Sequence, residues 1–188
     1  MDLSSVEDST TVKVAAGLVL VLICLALCFR FVLHRSVGAI DKSVTGGFVV
    51  IEHVDDIVDD LDQLRINQRA FMSTGGESFS DGVAENISGI IADMNALEQL
   101  RLNDRFMQRQ IGQVSRSVDK VFTSVGRANQ LQQLFGTEAA LALFDDDGDR
   151  SILSAKIDAM LLKRLATQQV LHRMTLQRRM RALLDVLF

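Results

Sequence analysis

Apolar residues recur at alternating steps of three and four along three segments after residue 50, and this spacing predicts amphipathic helices. The third segment is the most regular, with Ile111, Val114, Val118, Val121, Val125 and Ala128 in unbroken register. The first contains Ile51, Val54, Val58, Leu61, Leu64, Gln68 and Phe71, and the second Val83, Ile87, Ile90, Met94 and Leu97. Because helices bury such stripes against one another, we predict that each stripe lies in the core of a bundle.

A fourth amphipathic segment follows, with a less regular pattern. We predict that its best apolar face packs into the core; that face consists of Leu153, Ile157, Met160, Leu161 and Leu165. Four such segments joined by short breaks predict an all-α fold, an up-down antiparallel four-helix bundle with long first and last helices. We assign this bundle to residues 35–188.

The breaks between the segments carry residues that end or begin helices. Gly75 and Gly76 lie in a predicted hairpin at 73–77, with Ser78 or Ser80 as the cap of the second helix. Asn103 or Asp104 marks the next break, and Gly136 ends the third helix before a short helical turn. The acidic stretch FDDDGDRS predicts a loop at 145–149 before the last helix.

An uncharged aliphatic run, VAAGLVLVLICLALCF, occupies residues 14–29. With the residues beside it, the run predicts a transmembrane helix at 13–34 after a short polar N-terminus at 1–12. The alternatives are a cleaved signal peptide, which the acidic N-terminus disfavours, and a lipoprotein signal at Cys28, which the bulky Leu27 disfavours. Both cysteines lie inside the run, so they do not form a disulfide framework for the bundle.

Composition and motifs argue against catalysis. The chain has no proline, which permits long helices, and its net charge of −4 does not favour nucleic acid as a partner. A calcium loop around Gly148 would place Leu143 and Ser154 at ligand positions, so we reject it. A metal site that joins His53 to His172 is disfavoured because both helices would also have to rotate correctly. We therefore predict no enzyme activity, no cofactor and no metal site.

The stretch QRAFMSTGGESF at 68–79 resembles the hairpin motif of the third, four-helix class of CHASE sensory domains. The matching positions, with the second glycine of the turn, are Gln68, Arg69, Phe71, Thr74, Gly75, Gly76 and Phe79. The segment EAALALFDDDGDRSILSAKIDAML resembles the link into that class's fourth helix, and His53 is similar to a histidine of its first helix. The chain departs from the motif at Ala70 and at residues 65–67. The resemblance covers most of residues 35–175.

The resemblance implies a sensory input module of bacterial signal transduction. Members of the class carry a second membrane helix and an output domain, which do not follow here, so we expect the chain to act through a membrane signalling partner of kinase or chemoreceptor type. A homodimer is also expected. Gln68 and Arg69 either tie down the hairpin or contact a ligand. The alternative function is a membrane-anchored helical scaffold or adaptor that senses nothing.

The lipid bilayer is the remaining expected partner. In this geometry five basic residues would lie near anionic headgroups: Arg30, Arg35, Arg178, Arg179 and Arg181. The basic residues that follow the predicted span favour a cytoplasmic bundle by the positive-inside rule, whereas the resemblance implies the opposite orientation. We follow the resemblance and predict a single-pass protein of the bacterial inner membrane with a periplasmic bundle.

Overall fold

A computed structural model describes residues 4–100 and 104–187, with few side chains before residue 44 or after residue 180. The described residues are helical and contain no strand, which confirms the all-α prediction. The elements are α1 (Ser4–Thr74), α2 (Glu77–Gln99), α3 (Arg105–Phe135), α4 (Thr137–Leu143), a π-helical turn (Phe144–Gly148) and α5 (Asp149–Leu187). The chain divides into two units, Met1–Ser43 and Val44–Phe188, and the bundle belongs to the second.

Glycine and aspartate set the ends of the helices. α1 ends where Gly75 adopts φ +65°, and the Gly75 amide donates to the Phe71 carbonyl at 2.8 Å. α3 begins at Asp104, whose carboxylate accepts the Phe106 amide at 2.8 Å. α3 ends at Gly136, which has φ +86°. The chain therefore turns at Gly75–Gly76, within the predicted hairpin at 73–77.

The second unit has one continuous hydrophobic core. All six predicted positions of α3 are buried, and on α1 the buried positions include Val54, Leu61, Leu64 and Gln68. Burial of apolar side chains contributes about 25 cal/mol per Å², so this seam is the main stabilising term of the bundle.

Ion pairs between α1 and α5 define an antiparallel register. Their atoms lie 2.5–2.7 Å apart, and each step of seven residues along α1 corresponds to a step of seven back along α5. The pairs are Asp55–Lys163, Asp62–Lys156 and Arg69–Asp149.

α3 and α5 are antiparallel as well. Ser117 donates to Asp158 at 2.5 Å, and Ser124 shares a hydrogen bond with Ser151 at 3.1 Å. α1 and α3 run parallel. Gln68 on α1 donates to Asn129 on α3, and the next contact is from Gln132 to the Met72 carbonyl. Both residues of the second contact lie later in their helices than those of the first, so the two helices have the same direction. Alternating helix directions of this kind are those of an up-down bundle.

The predicted core face of the last helix is wrong by one position. Leu153, Ile157 and Met160 are 59%, 58% and 51% exposed, and Leu161 is exposed too. The buried positions of α5 are Ile152, Ala155, Ala159, Leu162, Ala166 and Val170. Small side chains let a helix lie close to its neighbours, so α5 buries its alanines and leaves a stripe of large apolar residues on the outside.

The predicted loop at 145–149 is a helical segment in the structure. The π-helical turn carries the chain from α4 into α5, and Phe144 is fully buried. A Cβ atom on residue 148 would overlap the Phe144 ring, so Gly148 makes room for a core side chain. The glycine that favoured a loop in the sequence thus serves packing instead.

The predicted serine cap of the second helix is also wrong. Gly76 is the N-cap of α2 and makes no side-chain cap hydrogen bond. Its own amide donates to Thr74 Oγ1 at 3.1 Å, which stabilises the turn, and its carbonyl accepts the amides of Phe79 and Ser80.

Among the described residues, no helix is both long enough and apolar enough to span a membrane. Most side chains of the predicted span at 13–34 lie outside the described residues.

Candidate functional site

The residues of the hairpin motif hold the turn between α1 and α2 in place. Thr74 Oγ1 donates to the Ala70 carbonyl at 2.7 Å, and Ser73 Oγ donates to the Arg69 carbonyl at 2.8 Å. Phe79 is half-buried, and its ring lies where a Cβ atom on Gly76 would touch it at 3.2 Å. Thr74, Gly75, Gly76 and Phe79 therefore have structural roles at this turn.

Gln68 is fully buried nearly two helical turns before the end of α1. Its Nε2 donates to Asn129 Oδ1 on α3 at 2.6 Å. Its Oε1 is buried and has no hydrogen-bond partner among the described residues. Such orphaned acceptors are uncommon in protein interiors, because an unpaired buried polar atom costs about 1–3 kcal/mol.

Arg69 points to the acidic segment that was predicted to be a loop. Its guanidinium donates to Asp145 at 2.8 Å and to Asp149 at 2.7 Å. The helical path places these two carboxylates four residues apart, on the side of the segment that faces α1. Asp149 Oδ1 and Arg69 Nε are buried without a hydrogen-bond partner.

Together these side chains form one polar group at the end of the bundle where α1 meets α2. We call this group the hairpin-end cluster and define it as Gln68, Arg69, Asn129, Gln132, Asp145 and Asp149. Two acceptors and one donor of the cluster have no partner among the described residues, namely Gln68 Oε1, Asp149 Oδ1 and Arg69 Nε. The cluster pairs no nucleophile with a base, so its chemistry is hydrogen bonding and charge.

A second set of polar residues lines the contact between α1 and α2. Asn67 Nδ2 donates to Asn86 Oδ1 at 3.0 Å, and Asn86 Nδ2 donates to Asp60 Oδ1 at 3.1 Å. His53 Nδ1 donates to Asp93 Oδ1 at 2.8 Å. We call these five residues the α1–α2 polar strip. Its α1 members are seven residues apart, so they occupy one face of the helix.

Glycines on α2 make space for this strip. A Cβ atom on Gly89 would overlap the Asp60 carboxylate, and one on Gly82 would lie 2.6 Å from Asn67 Nδ2. Both glycines lie seven residues apart, as their partners on α1 do. The polar contacts and the glycines therefore belong to one repeating interface.

The Asp60 carboxylate has an altered pKa. Burial raises the pKa of Asp60 above its ordinary value, and the hydrogen bond from Asn86 opposes that rise. The nearby carboxylates of Asp93, Asp56 and Asp59 raise the pKa further. The strip thus holds more negative charge than its surroundings neutralise.

Other predicted residues lie apart from these two groups. Arg178 and Arg179 are exposed on α5, whereas the side chains of Arg30, Arg35 and Arg181 lie outside the described residues.

The other candidates from the sequence also have positions in the structure. The structure does not bring His53 and His172 together, since His53 faces α2 and His172 lines a groove beside the start of α3. Phe71 is half-buried, and Met72, the next residue, takes the core position.

Sequence reasoning missed the partners of the motif residues. Asn129 lies four residues after Val125 and continues the α3 seam, so its position on the core side was readable from the spacing. The seven-residue spacing of His53, Asp60 and Asn67 also places these polar residues on one face of α1, which the pattern of apolar residues alone does not show.

Comparison of the chain with protein-family models, with curated proteins and with solved structures found no match.

The hairpin-end cluster predicts different effects for substitutions of the bonded amides Gln68 and Asn129. Asn129→Ala leaves the buried Gln68 amide with no partner at all, so we expect the free energy of unfolding to fall by about 1–3 kcal/mol. Gln68→Met keeps the side-chain length and removes the orphaned acceptor, so we expect little loss or a gain in stability. Urea unfolding monitored by circular dichroism measures both. A larger loss for Gln68→Met than for Asn129→Ala would contradict this account.

The raised pKa of Asp60 predicts that Asp60→Asn stabilises the fold at neutral pH. Because the folded-state pKa is raised, the ionised carboxylate destabilises the fold above that pKa, and the penalty disappears below about pH 4, where the residue is protonated in both states. The asparagine still accepts the Asn86 hydrogen bond.

The measurement is the difference in unfolding free energy between Asp60→Asn and the unmodified chain at pH 7 and at about pH 3.5. We expect the variant to be more stable at pH 7 and the difference to vanish at the lower pH. Asp59→Asn removes the same charge from an exposed neighbour and should change stability less. A variant that is less stable at pH 7 would refute the interpretation.

Proposed function

We propose that the chain is a membrane-anchored sensory input module of bacterial signal transduction that resembles the third CHASE class and acts through a partner with an output domain. The main support is the buried Gln68 with its unpaired Oε1. It lies in the segment that carries the resemblance, at a position where an apolar residue would pack with less cost.

The hairpin-end cluster supplies a route from binding to helix movement. Gln68 connects α1 to α3, and Arg69 connects α1 to α5. A molecule that took up the unpaired atoms of this cluster would change the hydrogen bonds that hold α1 to its neighbours. Small shifts of packed helices against one another are a common means of signal transmission.

The exposed apolar stripe of α5 supports a homodimer. Leu153, Ile157, Met160 and Leu161 lie on the outside of the bundle, and Leu171 extends the stripe by about three turns. Exposed stripes at helical spacing usually mark a protein contact. A second copy anchored in the same membrane would present the same stripe in a parallel direction, which closes a two-fold symmetric dimer.

The stripe equally fits the alternative function, a membrane-anchored scaffold or adaptor that presents a fixed surface to other membrane proteins. In that case the hairpin-end cluster would serve stability alone. A constitutive partner bound through the stripe would favour the scaffold, whereas a small molecule that raises the melting temperature through the cluster would favour the sensor.

The proposed dimer predicts disulfide cross-linking at the centre of the stripe. In a background with Cys24→Ala and Cys28→Ala, we expect Ile157→Cys to form a cross-linked dimer in membranes on mild oxidation, because a residue near a two-fold axis meets its own copy. Ile91→Cys, on an exposed apolar position of α2, is the matched control. Equal cross-linking at both positions, or none at Ile157→Cys, would exclude this interface.

The sensory function predicts that the bundle lies outside the cytoplasm. In the same cysteine-free background, Ser78→Cys at the exposed start of α2 should react with a membrane-impermeant maleimide in intact cells. Ser5→Cys, before the predicted span, should react only after the cells are permeabilised. The reverse pattern would place the bundle in the cytoplasm and overturn the proposed sensor.

A further inference from the structure

Three potential metal ligands converge where α1 passes α2. His53 and Asp56 lie three residues apart on one face of α1, and Asp93 faces them from α2. Their ligand atoms all lie within 4.8 Å of one another. The side chains of His53 and Asp93 are 25% and 18% exposed, so water reaches the group but does not surround it.

Within the part of the chain that the structure describes, the charge of this region is not balanced by protein cations. α2 contains Glu77, Asp81, Glu85, Asp93 and Glu98 and neither lysine nor arginine. The facing part of α1, residues 43–64, also lacks both.

The lysines of α5 do not supply the missing charge. Lys163 and Lys156 pair with Asp55 and Asp62, the carboxylates that face α5. Asp56 makes no ion pair or side-chain hydrogen bond with a described residue. A carboxylate beside a histidine and a second carboxylate, with no cation of the protein to pair with, is available to bind a metal ion.

We propose that His53, Asp56 and Asp93 bind a divalent first-row transition-metal ion, of which Zn²⁺ is the representative. One imidazole nitrogen with two carboxylate oxygens is a donor set that zinc accepts, whereas calcium and magnesium prefer oxygen alone. Three protein ligands leave at least one coordination position for water or an external ligand.

The site has a structural consequence that follows from its position. Two ligands come from α1 and the third from α2, so a bound ion fixes the two helices at this height. The ion would also neutralise carboxylates that otherwise repel one another along the α1–α2 polar strip. Binding to the folded state alone then stabilises the bundle in proportion to metal concentration. None of this depends on the sensory function, because it concerns only the contact between α1 and α2.

Isothermal titration with ZnCl₂ tests the proposal on the full chain, purified in detergent without a histidine tag or chelator. We expect binding of one ion per chain. His53→Gln and Asp93→Asn should each weaken binding at least about tenfold, since even residues behind metal ligands cost that much when they are changed. The visible absorption of bound Co²⁺ provides a second readout that reports coordination directly.

Two controls separate ligation from general attraction. Asp59→Asn removes one negative charge from the same helix but no ligand, and His172→Gln removes another imidazole; both should bind zinc as the unmodified chain does. Circular dichroism checks that each variant remains helical. The proposal is wrong if zinc does not bind, if His53→Gln binds as tightly as the unmodified chain, or if Asp59→Asn weakens binding as much as Asp93→Asn. His53 and Asp93 would then form only a hydrogen-bonded tie between two helices.

Discussion

A seven-residue repeat governs the α1–α5, α3–α5 and α1–α2 interfaces of this bundle. Seven residues are close to two turns of an α-helix, so positions seven apart return to the same side. The core uses this repeat to keep one apolar seam facing inward along each helix. Once the apolar seam fixes the rotation of each helix about its axis, the directions in which its other faces point are fixed too. The polar contacts between helices therefore recur with the same period, on α5 as on α2.

This periodicity gives polar residues a role in alignment rather than in overall stability. The ion pairs between α1 and α5 are partly exposed, and such pairs contribute about 0–1 kcal/mol each. A slip of α1 by one turn would break all three at once and would also misalign Gln68 with Asn129. Apolar side chains of similar size tolerate such slips more readily. The seam holds the helices together, and the polar contacts select one register among several.

The sequence predicted the core positions correctly where the seven-residue repeat is regular. It failed where side-chain size or a special backbone geometry determines which residues are buried. All six α3 positions are buried as predicted, because an unbroken apolar stripe has only one side to turn inward. The predicted core face of α5 was wrong because the prediction followed the spacing of the large apolar residues and not that of the alanines. Here the alanines face the core, and nothing in the spacing of Leu153 and Ile157 says so.

At the candidate site, too, the sequence predicted some positions and not others. Gln68 could be placed on the core side of α1 from its spacing. The partners of Arg69 could not be assigned, because Arg69 meets Asp145 and Asp149 only if that segment is helical. The acidic run and its glycine favoured a loop. In the structure the segment is helical: Phe144 is fully buried in the core, and Gly148, four residues later, leaves room for its ring.

The two polar groups differ in what a bound molecule would change. At the hairpin end, the unpaired atoms of Gln68 and Asp149 cost the fold free energy of unfolding. A ligand that bonded to them would remove this cost and would favour the helix arrangement in which the atoms are accessible to it. Along the α1–α2 strip, uncompensated carboxylates repel, so a cation there favours close approach of the two helices. Ligand coupling in proteins is typically worth about 1–3 kcal/mol.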